Sequence, residues 1–181
     1  VAKYMGDGVL ACFGYPQAHE DDAERAVQAG LELIAGVAAL KTPVLLQSRV
    51  GIATGIVVVG DLIGSGAAQE RSIVGETPNL AARLQGVAAP NMVVIAEDTR
   101  RLLGNLFELQ NLGEKELKGI AGSMRVWAAV RASSVESRFE ALHASGLTAL
   151  MGREEESELL FRRWARAKNG EGQVVLLSGE A

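Results

Sequence analysis

A single cysteine, Cys12, in 181 residues excludes both a disulfide framework and a cysteine zinc site. It falls in an apolar stretch and reads as a small buried hydrophobe on a hairpin strand. The two histidines, His19 and His143, have no second histidine or carboxylate at metal-ligand spacing, which argues against a histidine metal centre. Basic residues are outnumbered 18 to 22, and a net charge of −4 lacks the basic stripe of a general nucleic-acid binder. The cluster Arg162, Arg163, Arg166 and Lys168 reads as a solvated helix face. No apolar run approaches the roughly 18 residues that cross a bilayer, and no signal peptide is visible, so a cytoplasmic protein without a membrane partner is expected. An initiator methionine is also missing and the chain opens mid-strand, so both ends are expected to be cut.

Apolar residues are plentiful. At 48% hydrophobic and 22% charged, the chain can bury a core and lacks the signature of disorder. Its length allows one domain, or one domain and part of a second. Val1 to Phe13 predicts a hairpin, with Gly6-Asp7-Gly8 as the turn between two apolar runs. The acidic stretch His19-Glu20-Asp21-Asp22 suits the start of a helix running to about Leu40, with Ala23, Ala26, Val27, Leu31, Ile34 and Ala38 as its apolar stripe. Strands are predicted at 48–55 and 56–60, Asp61 is read as a turn, and a Gly/Ser/Ala loop runs through Ala68. Further elements are a strand at 92–95, a helix at 97–103, and strands at 107–109 and 124–130. Alternating strands and helices indicate an α/β or α+β layer fold.

The stretch from Ser72 to Gln85 is the most informative. Thr77 is a natural N-cap and Pro78 a natural first helical residue. Leu80, Leu84 and Val87 form a core stripe at i, i+4, i+7, and Asn79 and Arg83 lie four apart on another face. A helix N-terminus beside a guanidinium fork is apparatus for holding phosphate oxygens. Beyond Val130, residues 132–150 read as a linker. A helix with Leu159, Leu160 and Trp164 then precedes a buried-type strand at Gln173-Val174-Val175-Leu176-Leu177.

Three pieces in order, Lys3-x-x-Gly6-Asp7-Gly8, Gly51-Ile52-Ala53-Thr54-Gly55 and Gly75-x-x-x-Asn79-x-Ala81-Ala82-Arg83, resemble the catalytic domain of class III nucleotide cyclases. The resemblance covers about residues 1–131 and is specific because separated motifs agree. It is nearest to bacterial soluble adenylate cyclases, in which a P-loop ATPase module follows. Residues 151–181, with Gly152-Arg153-Glu154 and Ser178-Gly179-Glu180-Ala181, resemble the start of that module, ending before its Gly-Lys-Ser/Thr.

The resemblance implies an α+β, ferredoxin-like cyclase fold, an antiparallel-rich sheet with packed helices, lacking its first strand here. It implies conversion of ATP to cyclic AMP and pyrophosphate with two Mg²⁺ or Mn²⁺ ions per site. Asp7 matches the second metal-binding aspartate, and the first would lie upstream of Val1. Lys3 and Ser72 match the pair that reads the base, favouring ATP over GTP. Asn79 matches the residue that orients the ribose, and Arg83 the one that stabilises the pentavalent phosphorus. Because the family draws these two sets from different subunits, a homodimer is implied. Two alternatives stay open. One is a degenerate cyclase homologue that binds nucleotide and regulates an attached ATPase; the other is an unrelated ferredoxin-like interaction domain.

Overall fold

The computed structural model of the chain describes residues 3–63, 70–120, 122–134 and 151–178, with main chain only at 61–63 and 70–72. The chain parts into two compact units, Val1–Ala144 and Ser145–Ala181. In the first unit the elements in order are β1 (Lys3–Met5), β2 (Gly8–Leu10), α1 (Asp22–Ala38), β3 (Arg49–Ile52), β4 (Val58–Ile63), β5 (Glu70–Val74), α2 (Glu76–Val87), β6 (Met92–Ala96), α3 (Glu97–Leu103), β7 (Phe107–Glu116) and β8 (Ser123–Ala132). The second holds α4 (Glu154–Lys168).

β6 is apolar at every position, which suits a strand covered on both faces. It lies inside a four-stranded sheet of order β3-β6-β8-β7, parallel to β3 and antiparallel to β8. Alternation along β6 divides the core in two. Val93 and Ile95 join Val27 of α1, Leu103 of α3, Phe107 and Ala129 on one face. Val94 and Ala96 join Leu84 and Ala88, Leu117 and Val126 on the other, under α2. Two helices therefore cover one face of the sheet and one helix covers the opposite face, consistent with the α+β architecture.

The parallel β3–β6 pair requires a crossover, supplied by the β4–β5 hairpin followed by α2. Asn91, at φ 60°, fastens the near ends of β3 and β6. Its N–H donates to the Ser48 carbonyl at 2.7 Å, and its Oδ1 accepts from the Ser48 N–H at 3.2 Å. On the other side of the sheet, α3 is tied to β8. Trp127 Nε1 donates to Glu97 Oε2 at 2.7 Å, and the Arg100 guanidinium sits 5.3 Å over the same ring.

Several elements depart from expectation. The hairpin forms, but its strands are three residues each, and Cys12 lies beyond β2, half-buried, where burial raises its thiol pKa. Asp61 is no turn. β4 runs through it to Ile63, because the strand has a partner in β5 that a local reading of Gly60-Asp61 cannot see. In α1, Ala23, Val27, Leu31 and Ile34 face the core as expected, but Ala38 is exposed. β7 extends seven residues past 109, paired along its length with β8. β8 takes in Ala132, the first residue of the expected linker.

In α2 the inward stripe is Leu80, Leu84 and Ala88, with Val87 left 44% exposed. The three stripe residues lie on one i, i+4, i+8 row of the helix surface, and that row, not the i+7 position, meets the sheet. In the second unit, Gln173–Leu177 forms no strand, and Val174 and Leu176 are 97% and 89% exposed. A strand needs a hydrogen-bonding partner, and the described residues of that unit offer only α4. Arg163 of α4 instead donates to Gln173 Oε1 at 3.0 Å.

Helix and strand come close at Gly51. A Cβ there would run into the backbone of Ala81 and Gln85, so β3 and α2 meet main chain to main chain. Gly36 on α1, by contrast, faces open space. Gly51→Ala is expected to lower Tm by about 5–10 °C, the scale of overpacking a well-filled core in a domain of this size. Gly36→Ala should be neutral or slightly stabilising, and thermal unfolding followed by circular dichroism checks both.

Candidate active site

Lys3 stands on β1, and Asp7 follows at the exposed tip of the β1–β2 hairpin between Gly6 and Gly8. Gly6 takes φ +61°, the left-handed conformation that closes so short a reversal. β1 lies against β5, the strand that carries Ser72. The fold thus brings the strands of the two sequence-predicted base-reading residues side by side within one chain. The side chain of Ser72 itself falls outside the described residues.

The main chain at Ser72 is distinctive. Val59 pairs with Ile73 and Leu62 with Arg71, so Gly60 and Asp61 together oppose the single residue Ser72. This is a β-bulge, a device that re-aims a strand locally and recurs beside active sites.

β5 leads into α2 through Gly75, which has φ 142° and ψ −179°, a region essentially reserved for glycine. Gly75 is the N-cap and Glu76 the first helical residue, so the expected Thr77 cap is displaced by two positions. The reason is tertiary. Thr77 Oγ1 donates to the Ile56 carbonyl at 2.9 Å, in the segment after β3, rather than accepting from its own helix. Pro78 becomes the third helical residue, where its missing N–H still costs no intrahelical bond.

Asn79 and Arg83 are both exposed, one turn apart, on the side of α2 away from Leu80 and Leu84. No carboxylate or other partner engages either of them among the described residues. α2 is held from beneath by β3 and β6 and touches β5 near its start. The amide and guanidinium are therefore presented by a helix packed on the sheet, with no claim on their hydrogen-bonding capacity among the described residues.

Asp7 is the one metal-binding carboxylate that the motifs assign to this chain, and no group of three or more His, Cys, Asp or Glu side chains is arranged to hold a metal ion among the described residues. A lone hard oxygen donor at an exposed, glycine-flanked tip fits a magnesium-type ion, which commonly takes one or two carboxylates and completes its shell with substrate phosphates and water. It does not fit a dedicated protein cage.

What sequence reasoning missed is the work done by Gly51, Gly55 and Thr77. A Cβ on Gly55 would fall 2.5 Å from Thr77 Oγ1, so this glycine leaves room for the threonine hydroxyl. The available signal was a pair of glycines four apart, Gly51 within β3 and Gly55 just after it, a sign of close backbone approach.

Comparison with known proteins bears on this arrangement directly. Residues 2–130 match the family model "Adenylate and Guanylate cyclase catalytic domain". The guanylyl cyclase Cya2 superposes with a TM-score of 0.64 at 30% identity, covering 75% of this chain and 71% of that one. The guanylate cyclase domain of RhGC from Catenaria anguillulae, solved in complex with GTP, superposes at 0.61 with 27% identity over 67% of this chain and 66% of that one. The adenylyl cyclase CyaB from P. aeruginosa shares the fold at a TM-score of 0.62 and 24% identity, covering 74% of this chain and 72% of that one. An uncharacterized protein of Rhizobium meliloti (strain 1021) is 35% identical over 179 residues, 97% of this chain, which spans only 17% of that relative's length. With its motif helix, glycine hairpin and sheet in the arrangement described, the chain belongs to the adenylate and guanylate cyclase catalytic-domain family.

Proposed function

We propose that this chain is the catalytic domain of an adenylate cyclase, which converts ATP to 3′,5′-cyclic AMP and pyrophosphate in a homodimer. The observation that carries the reading is the adjacency of β1 and β5, which sets the strands of Lys3 and Ser72 together while α2 presents Asn79 and Arg83. An ammonium donor and a hydroxyl acceptor suit N1 and the 6-amino group of adenine; guanine presents a donor at N1 and a carbonyl at C6. The lysine–serine pair therefore favours ATP, although relatives of both nucleotide types share the fold.

In the reaction the ribose 3′-oxygen forms a bond to the α-phosphorus, the bond to the β-phosphate bridging oxygen breaks, and pyrophosphate leaves with that electron pair. The 3′-hydroxyl proton is lost to solvent or base. Two divalent cations, Mg²⁺ or Mn²⁺, supply the charge that acidifies the hydroxyl and neutralises the triphosphate when bound. Asp7 would hold such an ion. Asn79 would fix the ribose through its amide, and Arg83 would meet the charge that builds on the equatorial oxygens. Both residues, exposed and unclaimed by carboxylates among the described residues, suit a site completed by a second copy. Exposed Tyr4, Val9, Val58 and Val74 on β1, β2, β4 and β5 provide apolar surface for such a partner.

A second reading, a cyclase-like module that binds nucleotide and regulates an attached ATPase, draws on the lone carboxylate at Asp7. We place residues 151–181 at the start of a P-loop module, with α4 and the apolar Val174–Leu177 segment as its first pieces. A cytoplasmic setting follows from the substrate; no described helix is long and apolar enough to cross a membrane.

A version extended upstream by one strand and helix should produce cyclic AMP from ATP with Mn²⁺. Asp7→Ala and Arg83→Ala should each lower kcat by about 100-fold or more, the scale of losing a group that stabilises transition-state charge. ATP binding without any product would favour the regulatory module. Mixing the two inactive variants tests the shared site. Random pairing makes half the dimers mixed, each with one intact site of two, so activity should return to about a quarter of wild type. Variants that remain inactive when mixed would place Asp7 and Arg83 in one subunit's own site.

A further inference from the structure

The contact between Thr77 and the segment after β3 stands apart from the groups assigned above. Thr77 lies in the first turn of α2, two residues before Asn79 and six before Arg83. Its hydroxyl reaches out of the helix to the Ile56 carbonyl, 21 residues earlier in the chain, at 2.9 Å. Gly55 leaves the space for it: a methyl there would sit 2.5 Å from Oγ1. Farther along α2, backbone meets backbone at Gly51, beneath Ala81 and Gln85.

These two contacts do different things. Flush packing at Gly51 sets how near α2 lies to the sheet, but a smooth backbone-to-backbone contact resists sliding along the helix axis only weakly. A directed hydrogen bond at one end resists it strongly, because the energy falls off steeply with distance and angle. Gly75, with φ 142°, allows the chain to enter the helix in the orientation that aims Thr77 at Ile56. Thr54, two residues before Ile56, is itself hydrogen-bonded to the buried Thr99 at 2.9 Å, so the acceptor side of the latch is anchored.

We propose that Thr77 is a positioning residue: its hydroxyl, seated on Gly55 and bonded to Ile56, fixes the axial register of α2 and with it the placement of Asn79 and Arg83. Thr77 touches no substrate in this scheme. It acts through the two residues that follow it, and the inference rests on the cyclase reading above. Effective catalysis requires reacting groups within fractions of an ångström, so a latch that sets helix register acts on turnover more than on substrate capture.

The test uses the upstream-extended protein with Mn²⁺ and ATP. Thr77→Val keeps the side-chain shape and deletes the hydrogen bond. Its kcat should fall roughly tenfold to a hundredfold, the cost of a small misplacement of catalytic groups, while KM stays within about twofold. Thr77→Ser keeps the hydroxyl and should restore kcat to within about twofold of wild type. Gly55→Ala, which adds nothing near the substrate groups but displaces the hydroxyl, should reproduce the Thr77→Val loss.

A Thr77→Val protein with kcat within twofold of wild type would overturn the positioning role. So would a parallel loss of kcat, ATP binding and Tm that Thr77→Ser does not rescue, which marks a general structural role. A wild-type protein that makes no cyclic nucleotide would overturn the cyclase reading itself, an outcome visible before any Thr77 variant is compared.

Discussion

A methyl group added at Gly51 would enter the backbone of α2 at Ala81 and Gln85, and the geometry of the molecule follows from how close that glycine lets helix and strand come. With β3 and α2 in main-chain contact, Leu80, Leu84 and Ala88 reach the far side of β6 and seal one core against Val94 and Ala96. The opposite side of α2 is left for Asn79 and Arg83. A bulkier residue at 51 would lift the helix, open the second core and move both polar groups together.

The same closeness explains why the motif glycines differ in kind. Gly51 and Gly55 are required for space, beneath the helix backbone and beside the Thr77 hydroxyl. Gly75 is required for conformation, at a φ that other residues rarely adopt. Gly6 turns a hairpin whose strands are too short to tolerate a wider loop. One residue type thus answers several separate demands, and the clustering of those demands around one helix is what makes the motif set recognisable.

Electrostatics contribute to this arrangement chiefly by what is left uncommitted. The surface pairs include a cross-strand bridge of Arg131 with Glu108 at 2.7 Å, where a bidentate bond to the Arg131 guanidinium lowers the carboxyl pKa of Glu108. Exposed pairs of this sort add little to stability, because water screens them. Arg83 is kept out of such a pair among the described residues, which leaves its full charge available to an incoming anion. The hydrophobic cores carry the fold, and the polar face of α2 is free for chemistry.

Much of the fold was legible in the residues alone. The α1 stripe, the Asp7 hairpin, the apolar strand at 92–95 and the Asn79–Arg83 helix are each set by patterns spanning a few residues, where propensity and periodicity act directly. Motif order carried the family as well, because those residues keep their spacing in the chain. What local pattern could not reach was decided by partners distant in sequence. Ile56 drew Thr77 out of the capping role and moved the helix start to Glu76. Pairing with β5 carried β4 through Asp61, and pairing with β8 drew β7 out to Glu116. The apolar run at Gln173–Leu177, with no partner strand among the described residues, formed no strand at all. The sequence by itself determined most of the helical and extended segments, and it nominated the side chains proposed to bear the chemistry. The tertiary structure alone decided where β4 and β7 stop, where α2 starts and how α2 is seated, because an end or a latch is settled by the free energy of a hydrogen bond to another part of the chain.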